Sequence, residues 1–414
     1  MTGGITISDV SSSAVEDAPK KKSAGILDRT VQNWLHMLPP DLVQSSTIQL
    51  DSLQRGWPNR HVIYQPMLLL SQGTFQTPEW QGLFNAAGGD QVQILFTTMA
   101  QALKVTHIAI NEPIPAENLT AAGEEVNVLR SPSNLQPLFG DFGPVVASDD
   151  PSLSDFDAAF WVSAVQNGIK QVWAPRYTMF SRGNVTEKAR ILNLPPVTDA
   201  VRRGTDDGRG CSAVDLYAGI GYFAFSYVKA GVDKVLCWEI NPWSVEGLKR
   251  GAESNGWEVR IFKEDDMADL DAIQAAVNDR SVRLLVFHVS NERALETFRG
   301  ISGAVPPVRH INCGLLPTSR GSWETAVHLV QPEGGWIHLH ENIAVADIHA
   351  RAEEIVLDIQ TMYEAGDASA AERDVPGKIE LQHVERVKTY APGVMHCVLD
   401  IYICSSKAVA LDEG

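Results

Sequence analysis

The sequence predicts an α/β protein: a Rossmann-like, doubly wound sheet finished by a C-terminal antiparallel hairpin, with a smaller α+β domain before it. Three observations predict this. From residue 211 onward, short apolar runs alternate with stretches of helical spacing, the pattern of parallel strands joined by crossover helices. Within that region "DLYAGIGYFAFSYVKAGVDKVLCWEINP", Asp215 to Pro242, reads as a strand end, a glycine turn, a helix, and a second strand closing on Glu239. Near the C-terminus Met395, Cys397, Leu399, Ile401 and Ile403 alternate after a Pro-Gly turn, as one arm of a hairpin should.

At 414 residues and 44% hydrophobic, the chain is long enough for two or three cores. A formal charge of −17 argues against a broad surface that coats nucleic acid. The five cysteines are scattered without a C-x-x-C pair, as reduced, buried thiols of an intracellular protein would be. No apolar run nears the ~20 residues that span a bilayer, and residues 1–25 lack a basic-then-apolar leader pattern. The expectation is a cytoplasmic protein with no membrane partner and no obligate protein partner.

Residues 1–25, rich in Ser, Gly, Ala and charge, are expected to form a disordered tail. An N-terminal domain then runs over 26–165. In it "HVIYQPMLLLSQGTF" (61–75) reads as strand followed by turn, "DQVQILFTTMAQALKV" (90–105) as helix, and the acidic 144–157 as loop. A connecting segment follows over 166–210. Between Lys170 and Arg209 it carries eight basic and four acidic residues, a local +4 within an acidic chain. Arg182, Arg190, Arg202 and Arg203 are its candidate phosphate ligands. "NLPP" (193–196) reads as a linker.

The catalytic domain spans 211–414. "SAVDLYA", "KVLCWEI" (234–240), "VRIFKEDD" (259–266), "VRLLVFHV" (282–289), "HINCGLL" (310–316) and "GGWIHLHEN" (334–342) read as strands. "HARAEEIVLDIQTMYEAG" is an amphipathic helix, with Ile355, Ile359 and Met362 on one face and Gly366 as its stop. "KIELQHVERVKTYAPGVMHCVLDIYIC" is the closing hairpin.

In a doubly wound sheet a ligand lies at the carboxyl ends of the strands, over the first strand–helix turn. Gly219 and Gly221 let the backbone approach it. Glu239 offers two acceptor oxygens to ribose hydroxyls, and Asp265 and Asp266, ending the third strand in sequence, are placed for an adenine amino group. Gly219 to Ala224 also satisfies G-x-G-x-x-A, so NAD is open on letters alone. S-adenosyl-L-methionine is favoured by the acid Asp215 four residues before the first glycine, by Asn241-Pro242 after Glu239, and by the closing hairpin. His338 and His340 share one strand face, but no Cys or acid set accompanies them at metal-ligand spacing, and no metal is expected.

"DLYAGIGYF", "WEINP", the upstream "MFSRGNVTEK" (179–188) and the late "VKTYAPGVMHCVLDI" (387–401) together resemble the tRNA wybutosine-synthesizing protein 2 family, over about residues 165–414. That family shares the class I methyltransferase-like sheet with the tRNA guanine-N1 methyltransferases. The resemblance implies transfer of the 3-amino-3-carboxypropyl group of S-adenosyl-L-methionine to C7 of 4-demethylwyosine at position 37 of phenylalanine tRNA, with release of methylthioadenosine. It implies Ser181 and Lys188 as donor ligands and catalytic residues, Glu239 as the ribose ligand, and the anticodon region of the tRNA as partner. The chain departs from the family where Asp265-Asp266 stands for Asp-Asn, in "WAPRYTMFS" before the Ser181 motif, and in 281–309, which looks like an insertion. A tRNA guanine-N1 methyltransferase and a non-catalytic tRNA-binding paralogue stay open as alternatives. The absence of Asn-Pro-Pro after the fourth strand, where Asn312-Cys313-Gly314 stands, speaks against methylation of an amino nitrogen.

Overall fold

A computed structural model of the protein describes residues 6–8, 25–39, 42, 50–111, 135–330, 334–366 and 378–404. Apart from Thr6–Ser8 and Gly25, the tail expected over 1–25 lies outside the described residues. The chain divides into two compact units: Met1–Ser12, Val165–Gln171 and Ser181–Gly414 in the larger, Ser13–Ala164 and Val172–Phe180 in the smaller. Among the described residues no helix is long and apolar enough to cross a membrane.

Strand β1 (Thr6–Ser8) belongs to the larger unit, where it lies parallel to the sheet's outermost C-terminal strand. The smaller unit begins with α1 (Ile26–Met37), whose Leu27, Val31 and Trp34 recur at helical spacing and are buried. The run expected as one strand is a hairpin, β2 (His61–Tyr64) and β3 (Met67–Leu70), with Tyr64 opposite Met67. The chain reverses at Gln65-Pro66, because Pro66 has no N–H to continue a ladder. Helices α2 (Pro78–Ala87) and α3 (Gly89–Leu103) follow, then β4 (His107–Asn111) and β5 (Leu135–Phe139), giving a mixed sheet in the order β2-β3-β4-β5. Its core gathers Trp34, Phe75, Trp80, Leu95 and Phe96. The indole N–H groups of Trp34 and Trp80 donate to Gln91 O (2.8 Å) and Leu53 O (3.0 Å), which settles their polar ends. The loop expected over 144–157 ends early: α4 (Leu153–Ala158) starts at a Ser152/Asp155 capping box.

A two-stranded ribbon, β6 (Val162–Gln166) and β7 (Ile169–Trp173), comes next along the chain. Two helices precede the large sheet: α5 (Val185–Asn193) and α6 (Pro195–Asp206). "NLPP" is thus no linker, since Pro195 takes the first helical position, where a missing N–H costs nothing. The sheet is built from β8 (Ser212–Asp215), α7 (Ala224–Ala230), β9 (Lys234–Trp238), α8 (Pro242–Ser254), β10 (Glu258–Lys263), α9 (Leu270–Asn278), β11 (Val282–His288), α10 (Ala294–Ile301), β12 (Val308–Cys313), α11 (Trp323–Leu329), β13 (Gly335–Ala344), α12 (Ile348–Gly366), β14 (Lys378–Ala391) and β15 (Val394–Cys404).

Its order is β1-β14-β15-β13-β12-β8-β9-β11-β10. Strands β8 to β13 run parallel, and β15 and β14 close the sheet as the expected antiparallel hairpin. Two features depart from the reading of the sequence. First, β10 is the outer edge, and β11 lies between it and β9. The stretch 281–309 therefore supplies an inner strand. The residue pattern explains the order: Leu284, Leu285, Val286 and Phe287 of β11 are fully buried, as an inner parallel strand requires, whereas β10 alternates with exposed Glu258, Arg260 and Lys263. Second, β15 is buried on both faces, since His396, Val398 and Asp400 are as covered as Cys397, Leu399 and Ile401.

Phe287 stacks on Trp238 with centroids 4.6 Å apart and packs in the main core. Replacing Phe287 by Ala is expected to lower the unfolding free energy by about 3–5 kcal/mol, the cost of emptying a core aromatic. Urea denaturation measures it; a loss below about 1 kcal/mol would return β11 to the periphery.

Candidate active site

The turn after β8 is built by chain geometry. Gly219 and Gly221 have φ of 53° and 85°, in the left-handed region. A Cβ on Gly219 would stand 2.8 Å from the Tyr222 ring, and one on Gly221 2.5 Å from the Phe225 ring. Both positions are therefore closed to side chains, and α7 begins directly after the turn.

Two buried carboxylates frame it. Asp215 ends β8, and its Oδ1 accepts from Asn312 Nδ2 (3.1 Å) and Tyr217 N (3.3 Å), while Oδ2 is buried without a partner. Burial pushes the Asp215 carboxyl up to about 6, against the pull of those donors. Glu239 follows β9. Its Oε2 accepts from Gly219 N (2.7 Å) and its Oε1 from Asn241 N (2.8 Å), so one side chain ties the glycine turn to the start of α8. Burial raises Glu239 to about 6 as well, with the Asp215 charge adding to it and the backbone donors opposing. The set matches what S-adenosyl-L-methionine demands of a site: an orphaned anionic oxygen for a cation, a backbone cradle free of side chains, and a carboxylate with lone pairs to spare for ribose.

Asp265 and Asp266 stand elsewhere. They are exposed, at the end of edge strand β10, and Asp266 Oδ2 accepts from Lys263 N at 2.8 Å as the cap of a short 3-10 turn. The carboxyl end of the strand beside β9 carries Ser290 and Asn291 instead, and Asn291 Nδ2 donates to Leu216 O at 2.8 Å, within the first turn. The third strand in chain order is thus the sheet's edge, and the fourth lies beside β9.

Ser181 and Lys188 come to the same end of the sheet on the segment before and within α5. Lys188 is buried, donates to Gln171 Oε1 at 2.8 Å, and lies 5.3 Å from the centre of the Tyr222 ring. Gln171 in turn donates to Gly221 O at 3.4 Å. Burial, and then the charge of Lys388, bring the Lys188 ammonium down to about 7. Asn184 precedes α5 without capping it by its side chain, and Glu187 turns to Arg190 instead of completing a capping box.

No family model matches the sequence. Individual relatives do. The tRNA wybutosine-synthesizing protein 2 of Schizosaccharomyces pombe is 41% identical over 346 residues, 83% of this chain and 72% of that protein. The one of Saccharomyces cerevisiae is 31% identical over 396 residues, 87% of this chain and 77% of that protein. The chain belongs to the tRNA wybutosine-synthesizing protein 2 family. Among solved structures, P. horikoshii TYW2 superposes with a TM-score of 0.53 at 17% identity, over 91% of this chain and 99% of that one, which supports the class I methyltransferase-like fold.

In this wybutosine-family chain the basic segment is not one surface. Arg190 is largely buried: it donates through Nε and one terminal nitrogen to both oxygens of Glu187 (2.7 Å each), and to Asp400 at 2.5 and 3.1 Å. It therefore has no free edge for phosphate, and its place among the tRNA ligands is corrected. Asp400 continues to His338 Nδ1 (2.7 Å), His338 to His310 Nδ1 (3.1 Å), and His310 to Pro196 O (3.2 Å). Burial would raise Asp400, but His338 and Arg190 outweigh it and hold its carboxyl below the usual range. Glu187 goes the other way, raised to about 7 by burial and by the nearby carboxylates despite Arg190. Arg202 pairs with Asp199 (3.2 Å) and Asp206 (3.6 Å) on its own helix. Arg182 and Arg203 are exposed. His338 and His340 share a face but part ways, since His340 Nδ1 meets His396 Nε2 at 2.9 Å. Among the described residues no group of three or more His, Cys, Asp or Glu could hold a metal ion.

The residues that sequence reasoning missed are Asn291, Gln171 and the polar β14–β15 pair, Lys388 and His396. Asn291 was readable as the polar end of the most apolar strand. Gln171 carried no signal, as it precedes the recognised motif by eight positions.

Two outcomes are expected. Arg190→Met leaves Glu187 and Asp400 buried without a cation and should cost about 3–5 kcal/mol, against no more than about 0.5 kcal/mol for Arg203→Ala at the surface; paired urea titrations compare them. Lys188 titrates near 7 when folded and near 10.4 when unfolded. Between those values the unfolded chain holds the extra proton, so stability should rise with pH from about 7 to 10. Lys188→Met should remove that rise, which denaturation at stepped pH reads directly.

Proposed function

We propose that this protein transfers the 3-amino-3-carboxypropyl group of S-adenosyl-L-methionine to C7 of 4-demethylwyosine at position 37 of phenylalanine tRNA, releasing methylthioadenosine, in wybutosine synthesis. The observation that carries the reading is the identity to wybutosine-synthesizing protein 2 over most of both chains. P. horikoshii TYW2, of like fold, was solved with MeSAdo, the by-product such a transfer requires.

The chemistry asks for positioning more than for acid or base strength. The acceptor carbon bonds to the γ-carbon of the donor side chain as the γ-carbon–sulfur bond breaks; its electron pair goes to sulfur, and the proton of C7 leaves. Sulfonium is already a good leaving group, so holding the γ-carbon in line does most of the work. In this reading Glu239 accepts from the ribose hydroxyls, the free Oδ2 of Asp215 meets the amino group, and Gly219 and Gly221 let the backbone lie against the ligand. Asn291, in place of Asp265 and Asp266, takes the polar edge of the adenine. Ser181 and Lys188 hold the moving amino acid end and act on the reacting group. Arg182, Arg202 and Arg203 meet phosphates of the anticodon region, Arg202 by exchanging exposed acidic partners that contribute little. A cytoplasmic location goes with this substrate.

The deciding experiment supplies tRNA bearing the tricyclic base and adenosylmethionine labelled in either the carboxyl or the methyl carbon. Carboxyl label is expected in the tRNA, and methyl label in released methylthioadenosine. Methyl label in the tRNA, with adenosylhomocysteine as by-product, would instead make the protein a guanine-N1 methyltransferase. No label from either carbon would leave a tRNA-binding paralogue.

A further inference from the structure

A second lysine, Lys388, stands against Ser181 and opposite the buried His396. Lys388 of β14 is half-buried, and its Nζ donates to Ser181 Oγ at 3.1 Å. Its stem crosses Gly183, where a Cβ would stand 2.7 Å from Lys388 Cδ and 2.9 Å from Nζ. A side chain at 183 would displace the lysine, so glycine there keeps its seat open. Lys188 comes from α5 and reaches the turn through Gln171 and Gly221. His396, from β15, is fully buried; it meets His340 through Nε2 and keeps Nδ1 without a partner.

The charge of Lys388 disfavours the charged forms of both neighbours. Burial and then the Lys388 charge lower both Lys188 and His396, and burial alone lowers Lys388. Among the described residues, the charge named as acting on Lys188 is another cation, Lys388. Arg190, two residues along α5 from Lys188, shows the contrast, with two carboxylates bound. Like charges drawn together at partial burial disfavour each other's charged form until an anion joins them.

We propose that Lys388, together with Lys188, binds the carboxylate of the donor's amino acid end, and that this pair selects a carboxylate-bearing donor. Ser181 then serves to aim the Lys388 ammonium. The inference rests on the donor reading above. A carboxylate suits the site better than an RNA phosphate. Lys188 is only 3% exposed, too deep for a polynucleotide backbone arriving from solvent. A carboxylate at the end of a three-carbon arm, held over the glycine turn, reaches the spot from within. Because the carboxylate travels with the transferred group, both lysines would hold it through the reaction.

The test measures affinities of the full chain and of Lys388→Met for three ligands: adenosylmethionine, decarboxylated adenosylmethionine, and methylthioadenosine. The last two lack the carboxylate. Adenosylmethionine should weaken by about 10- to 100-fold, as for loss of a charge-assisted hydrogen bond, with the other two unchanged and with Lys388→Arg restoring most of the loss. Lys388→Gln carries the same comparison if the apolar side chain unfolds the protein. Equal weakening of all three ligands would reduce Lys388 to a structural role and overturn the proposal. Unchanged adenosylmethionine binding with a lower tRNA affinity and a flatter salt dependence would assign Lys388 to phosphate and overturn it too. The transfer reading fails separately: methyl label in the tRNA refutes it whether or not Lys388 discriminates by carboxylate.

Discussion

The guanidinium of Arg190 holds together the end of the sheet that carries the site. A buried cation needs anions with good geometry, and Arg190 has two, Glu187 on its own helix and Asp400 on β15. Asp400 passes the contact to His338, and His310 carries it to a carbonyl at the start of α6. One chain of polar contacts thus joins α5, β15, β13, β12 and α6. Lys188 is the residue after Glu187 and two before Arg190. Its entry into the interior follows from the pinning of that helix turn, since a buried lysine by itself would seek water.

At the other strand ends, order comes from backbone donors and carboxylates. Glu239 bonds the amides of Gly219 and Asn241, which fixes the turn and the start of α8 at one point. Each carboxylate oxygen has a further lone pair, so these bonds leave acceptor capacity for a ligand's hydroxyls. Asn312 orients Asp215 across the β8–β12 pair through one oxygen, and the second oxygen stays buried without a partner. The residue that stands where some methyltransferases carry Asn-Pro-Pro is thus buried and bonded to Asp215.

Much of this was legible from residue order. Strand–helix alternation gave the sheet and its closing hairpin, because period and composition report which faces are buried. Gly219, Gly221, Asp215 and Glu239 could be placed because a glycine turn flanked by two strands has few geometries. The misreadings share one cause, that spatial neighbours are not counted along the chain. Asp265 and Asp266 were placed by chain order, since β10 comes third, yet the more apolar β11 takes the position beside β9. Arg190 looked like a surface cation because its counter-charge, Asp400, is 210 residues away.

The sequence alone therefore determined the fold class, the family resemblance and the local glycine turn, all of which depend on short-range pattern. Tertiary structure alone decided which strand lies beside β9, which basic residues meet solvent, and that Ser181, Lys188, Gln171 and Lys388 converge. Those outcomes depend on burial and on charges brought together by folding. A lysine reads the same in sequence whether water or another lysine surrounds it; only its desolvation and its neighbours set its charge and its use.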